Sequence, residues 1–64
     1  MYEMTHAQIV AVEKLERAGW RWTHQDDDTV YMSKRGAVRS QTFYCEVSAD
    51  GTVDGHEDAK KVMR

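Results

Sequence analysis

The chain has 64 residues and a formal net charge of −2, with nine Lys or Arg and eleven Asp or Glu. This small charge neither attracts nucleic acid to the whole molecule nor favours an acidic partner, and the length allows one domain, residues 1–64, with a thin core. Cys45 is the single cysteine, and no signal peptide or apolar run of membrane length is visible, so we expect a cytoplasmic protein without a disulfide and without membrane contact.

The first predicted element is a helix that begins after Thr5. Thr5 and Gln8 have the spacing of a capping box, and Met4 with Ile9 fits a hydrophobic staple. One half of the helical wheel is mostly apolar, and it carries Ala7, Gln8, Ile9, Ala11, Val12, Leu15 and Ala18. Val10 falls on the polar half, where an isolated exposed valine needs no special explanation.

The helix is predicted to end at Gly19, because glycine takes the left-handed conformation that closes a helix without steric cost. The Schellman arrangement would then bring Trp20 against Leu15. Beyond this junction Trp20, Trp22 and His24 alternate with polar residues, which is the period of a β-strand. We therefore expect both indoles to face the helix as the largest parts of the core.

Further strand-like runs follow, separated by turn signals. An acidic turn at residues 26–28 leads into the alternating run 29–34, and a basic turn at 34–37 leads into a long run at 38–48. A bulge or a frayed start is expected at residues 38–41, where the alternation breaks. Asp50 and Gly51 signal a tight turn before a very short final strand.

The tail, residues 56–64, has apolar residues at helical spacing and charges in the sense that favours a helix dipole. It is too short to hold a helix alone, so it either docks on the sheet or frays. The predicted fold class is α+β: an N-terminal helix packed on a three- or four-stranded antiparallel β-meander, with a short C-terminal helix if the tail docks.

Metal, calcium and catalytic sites are poorly supported. The three histidines and Cys45 occur singly, without the close pairs of structural zinc sites, so we predict no metal and no other cofactor. Residues 50–55 resemble the start of an EF-hand loop, but Lys61 stands where that loop requires Glu. One helix on one sheet offers little concavity, and no phosphate loop or nucleophile motif is present, so we expect no enzyme.

The sheet face away from the helix is the most informative surface. The alternation places Arg21, Tyr31 and Tyr44 on it among several hydroxyl side chains, a composition typical of protein-binding surfaces. The working hypothesis is a noncatalytic protein-binding module that uses these three residues, with a second copy of the chain as one partner. Ordinary cross-strand pairing of Tyr31 with Tyr44 on a solvated sheet remains the alternative explanation of this surface.

A local excess of positive charge gives the alternative function. Lys34, Arg35 and Arg39 lie in a stretch, residues 29–45, that contains no acidic residue. Together with the two tyrosines they allow weak single-stranded nucleic-acid binding through the sheet face and the basic turn at 34–39. The small number of cations and the acidic turn count against this alternative.

Overall fold

The computed structural model describes residues 3–38 and 40–63. Helix α1 spans His6–Arg17, followed by strands β1 (Arg21–Asp26), β2 (Thr29–Arg35), β3 (Thr42–Val47) and β4 (Val53–Gly55) and by helix α2 (Glu57–Val62). The four strands form one antiparallel sheet in the order β1-β2-β3-β4. This arrangement confirms the predicted α+β class, with four strands in the meander and a second helix after it.

Helix α1 begins at the predicted capping box. The Thr5 hydroxyl accepts the backbone N–H of Gln8 at 3.1 Å, and the Gln8 side-chain oxygen accepts the backbone N–H of Thr5 at 2.9 Å. The buried helix residues are Gln8, Ala11, Val12 and Leu15. Ala7 is exposed, and Ile9 and Val10 are 38% and 39% exposed. The buried stripe is therefore narrower than the apolar half of the wheel.

Gln8 is fully buried and joins three parts of the chain. Its side-chain N–H groups donate to the Val47 carbonyl, at the end of β3, at 3.2 Å, and to the Asp28 carbonyl in the turn between β1 and β2. Its oxygen already holds Thr5 at the start of α1. Because a buried amide is costly unless its donors and acceptor are satisfied, these bonds fix the three segments relative to one another.

Helix α1 ends in the predicted Schellman arrangement. Gly19 has a φ of 99°, its N–H donates to the Glu16 carbonyl at 3.0 Å, and the N–H of Trp20 donates to the Leu15 carbonyl at 2.9 Å. Trp20 is only 2% exposed and packs in the same buried cluster as Leu15. The turn at Gly19 thus places the first indole in the core.

Strand β1 contains a β-bulge that corrects the predicted alternation. Trp22 pairs with Met32 but His24 pairs with Tyr31, so the register shifts by one residue between positions 22 and 24. His24 therefore lies on the outer face with Tyr31, and the prediction that it shares a face with both tryptophans is wrong. Trp22 lies on β1, an edge strand of the sheet, and it is 49% exposed, so only Trp20 is a core indole.

The sheet contributes two buried cross-strand pairs to the core. Val30 pairs with Val47 and Met32 pairs with Cys45, and all four side chains are buried. Phe43, the next residue on this face, is half-buried against the cluster. These pairs form the apolar sheet surface against which residues of both helices pack.

Strand β3 starts at Thr42, later than the long run in the sequence suggests. The Gly36 N–H donates to the Gln41 carbonyl at 3.1 Å, and the Gln41 N–H donates to the Val38 carbonyl at 2.9 Å. The expected irregular start of this strand is therefore observed. Arg39, one of the predicted site residues, lies outside the described residues.

The tail docks as helix α2 on the same sheet face as α1. Ala59 is fully buried in the core cluster. The ring of His56 caps the helix by accepting the Asp58 N–H at 3.1 Å, and it stacks on Phe43 with ring centroids 4.0 Å apart. Both helices thus lie on one side of the sheet, and the opposite side, called the outer face below, faces away from them.

Replacing Gly19 by valine should lower the free energy of unfolding by more than about 1 kcal/mol, because a β-branched residue is strained at positive φ. Gly19→Asn should lose less, since asparagine tolerates the left-handed region better. Urea denaturation of the three proteins gives the comparison. A Gly19→Val protein as stable as wild type would contradict the role assigned to the junction.

Gln8→Glu and Gln8→Leu should each lower the free energy of unfolding by more than about 2 kcal/mol. Glutamate keeps the acceptor that caps α1, but it removes both donors to the Asp28 and Val47 carbonyls and buries a carboxylate. Leucine removes donors and acceptor alike. Denaturant midpoints decide the matter: a fully stable Gln8→Glu protein would show that Gln8 acts only as a capping residue.

Candidate binding surface

Two of the rows on the outer face consist of residues that are direct neighbours across three or four strands. The first row is Arg21, Ser33 and Tyr44, and the second is His24, Tyr31, Glu46 and Asp54. Residues opposite each other in a row have Cβ atoms roughly 5 Å apart. Arg21, Tyr31 and Tyr44 therefore lie on the predicted face, and Tyr44 is 66% exposed.

The bulge in β1 builds a rigid aromatic pair on this face. The rings of His24 and Tyr31 stack with centroids 4.6 Å apart and an interplanar angle of 14°. Inside the bulge the Thr23 hydroxyl donates to the Tyr31 carbonyl at 2.7 Å, which holds the irregular backbone in place. The sequence alternation alone points His24 the other way, so it gives no sign of this pair.

The two tyrosines are diagonal neighbours rather than a cross-strand pair. Tyr31 lies opposite Glu46 and Tyr44 lies opposite Ser33, so the alternative of ordinary Tyr31–Tyr44 pairing is wrong in register. Between them lies a hollow of about 200 Å³, called the tyrosine hollow, lined by Tyr31, Tyr44, Cys45, Glu46 and Gly55. A side chain at Gly55 would strike the Tyr44 carbonyl at 2.7 Å, so this close approach of β4 requires glycine.

A larger depression of about 630 Å³ lies where β1 begins, and we call it the basic depression. Its lining consists of Gly19, Arg21, Ser33, Lys34, Arg35 and Thr42. Strand β2 runs two residues beyond its last pair with β1, Arg21–Ser33, so Lys34 and Arg35 border an open edge. The lining contains three cations and no carboxylate, and none of the three forms an ion pair within residues 3–38 and 40–63.

The predicted site residues therefore divide into two adjoining groups. Tyr31 and Tyr44 border the tyrosine hollow, and Arg21, Lys34 and Arg35 border the basic depression. The sequence alone did not predict that Arg21 lies close to Lys34 and Arg35. Their proximity depends on the residue of β2 that lies opposite the start of β1. The sequence pattern placed hydroxyl side chains on the outer face but did not indicate that Gly19 lines a depression with them. The sixth predicted residue, Arg39, lies outside the described part of the chain.

The Cys45 thiol is a poor nucleophile. Burial, aided by the neighbouring Glu46 carboxylate, raises its pKa to about 11, so the reactive thiolate is scarce at neutral pH. In the described part of the chain, no three His, Cys, Asp or Glu side chains are grouped to hold a metal ion. Neither described helix, of 12 and 6 residues, has the length and apolar character to cross a bilayer.

Comparisons of the chain with protein-family models, with curated proteins and with solved structures find no match. The outer face offers aromatic contact area at its centre and concentrated positive charge at one end.

Cys45 should react with a thiol reagent at about pH 8 at least about a hundredfold more slowly in the folded protein than in concentrated guanidinium chloride. The raised pKa and the burial both suppress attack in the folded state. Absorbance of the released thiol product follows the reaction. Equal rates in the two states would contradict the buried position of the side chain.

Proposed function

We propose that the chain is a noncatalytic cytoplasmic module that binds a protein partner through its outer face. Tyr44 carries this proposal, since it is the most exposed of the large apolar side chains in the described residues, at 66%. It stands beside the tyrosine hollow and in one row with Arg21. Tyrosine and arginine contribute disproportionately to protein interfaces, because they combine contact area with polar tips.

The outer face is also organised before any partner arrives. Covering the exposed part of Tyr44 removes on the order of 130 Å² from water, which contributes about 3 kcal/mol. Tyr31 is already stacked on His24, so ordering its ring on binding costs little entropy. The tyrosine hollow can receive an apolar side chain of the partner between the two tyrosines.

The cytoplasmic assignment is supported by the single unpaired thiol of Cys45.

A second copy of the chain is one candidate partner, and contact between copies would be face to face. The two edges of the sheet are poor sites for strand pairing: β1 is interrupted by its bulge and β4 has only three residues. The outer face has no such obstacle. A homodimer would therefore bury Tyr44 of both copies around a twofold axis.

Weak binding of single-stranded nucleic acid through the outer face and residues 34–39 is the second candidate function. One observation favours it, namely that Lys34 and Arg35 share a depression with Arg21, which lies in the row of Tyr44. A phosphate and a stacked base would fit side by side there. Glu46 and Asp54 in the adjacent row would repel the following phosphates, so a protein partner fits the face better.

The double substitution Tyr31→Ser/Tyr44→Ser should abolish partner capture while leaving the fold intact, because it removes the aromatic contact area from the solvent side of the sheet. Retention of partner on immobilised protein gives the binding readout, and circular dichroism reports the fold. For a second copy as partner, the solution mass across a concentration series replaces the capture step.

The matched control is Ile9→Ser/Val10→Ser, which also removes two partly exposed large side chains, but from helix α1. A partner retained by this control and lost by the tyrosine variant binds the outer face. Unchanged capture by a folded tyrosine variant would remove the outer face as the binding surface.

A further inference from the structure

The basic depression gathers positive charge from both faces of the sheet. Arg21 lies on the outer face opposite Ser33, and Arg35, two residues after Ser33, lies on that face too. Lys34 pairs with Phe43 on the helix side, and its Cε lies 3.6 Å from the position that a Cβ on Gly19 would occupy. The late start of β1 leaves a gap at the edge of the sheet, and all three side chains border it.

The fold itself does little to neutralise these cations. No carboxylate lines the depression, and none of the three cations forms an ion pair among residues 3–38 and 40–63. The nearby C-terminal end of α1 is also largely satisfied, because Trp20 and Gly19 donate to the Leu15 and Glu16 carbonyls. Three neighbouring like charges repel one another, so an anion bound between them would relieve a cost that the free protein carries.

We propose that the basic depression binds the phosphoryl group of a phosphorylated serine or threonine on the protein partner, an inference that rests on the proposed protein-binding function. Two guanidinium groups, those of Arg21 and Arg35, offer forked hydrogen bonds to phosphate oxygens, and Lys34 adds a point charge. The Ser33 and Thr42 hydroxyls supply further donors. A phosphorylated side chain carries nearly two negative charges at neutral pH, which suits a compact group of three cations.

The charge distribution favours one phosphoryl group over a nucleic-acid backbone. A single strand places a phosphate on every nucleotide and requires a continuous basic groove. Here the cations are confined to one depression, whereas the adjacent row holds Glu46 and Asp54, and the acidic turn at residues 26–28 lies at the far end of β1. A second and third phosphate along the face would meet carboxylates.

The distance along the outer face defines the partner sequence further. Tyr44 lies two strands away from Arg21 in the same row, roughly 10 Å, which an extended peptide covers in about three residues. A phosphoserine about three residues from a large apolar side chain would therefore occupy the basic depression and the tyrosine hollow together.

The test uses inorganic phosphate, a peptide with phosphoserine three residues from a leucine, the same peptide without phosphate, and oligothymidylate. Calorimetry should show that the phosphopeptide binds at least about tenfold more tightly than the unmodified peptide. Inorganic phosphate should shift the amide resonances of Gly19, Ser33 and Arg35. The double substitution Arg21→Ala/Arg35→Ala should reduce phosphopeptide affinity to that of the unmodified peptide.

The matched control is Lys60→Ala/Lys61→Ala, which removes the same charge from exposed positions on α2. Equal affinity for the two peptides, or an equal loss in the arginine and lysine variants, would overturn the proposal. Oligothymidylate that binds more tightly than the phosphopeptide and displaces it would also overturn it, in favour of nucleic acid. Since inorganic phosphate does not need the tyrosines, failure of this site is distinguishable from failure of the tyrosine contact.

Discussion

The side-chain amide of Gln8 bonds to backbone groups of Thr5, Asp28 and Val47, which belong to three segments far apart in the chain. A 64-residue domain buries little surface, so apolar packing alone holds its segments together weakly. The hydrogen bonds of the buried Gln8 amide add a second constraint on the same three segments. The same bonds fix where the β1–β2 turn and the end of β3 meet helix α1. This contact positions helix α1 on the sheet, whereas the pairing of the strands sets the spacing of the candidate binding groups on the outer face.

The elements that could be predicted from sequence are those set by near neighbours in the chain. The capping box at Thr5 and the left-handed turn at Gly19 each involve bonds within a few residues, so their signals are local. The bulge between Trp22 and His24 could not be predicted, because the residues on either side follow an uninterrupted period of two. It arises from the pairing with β2, which brings Gln25 opposite Val30 on the core side.

The face on which three of the candidate residues lie was predictable, but the grouping of the cations was not. Alternation sufficed to place Arg21, Tyr31 and Tyr44 on the outer face, because side-chain direction in a strand follows parity away from the bulge. Lys34 lies on the opposite face by the same parity, yet it borders the same depression as Arg21. That proximity depends on the length of β1 relative to β2, which is a property of the register and has no local sequence signal.

The bulge in β1 costs one unsatisfied buried side-chain group. Gln25 turns toward the core side opposite Val30, and its side-chain nitrogen is buried without a hydrogen-bond partner among the described residues. In return, His24 moves to the outer face and stacks on Tyr31, and the exposed edge of β1 becomes irregular and resists strand addition. One extra residue therefore makes the edge of β1 irregular and adds a second ring to the outer face. The outer face has positive charge at one end, from Arg21 and Arg35, and the carboxylates of Glu46 and Asp54 in the adjacent row. A partner with charges of both signs would therefore be favoured in a single orientation on this face.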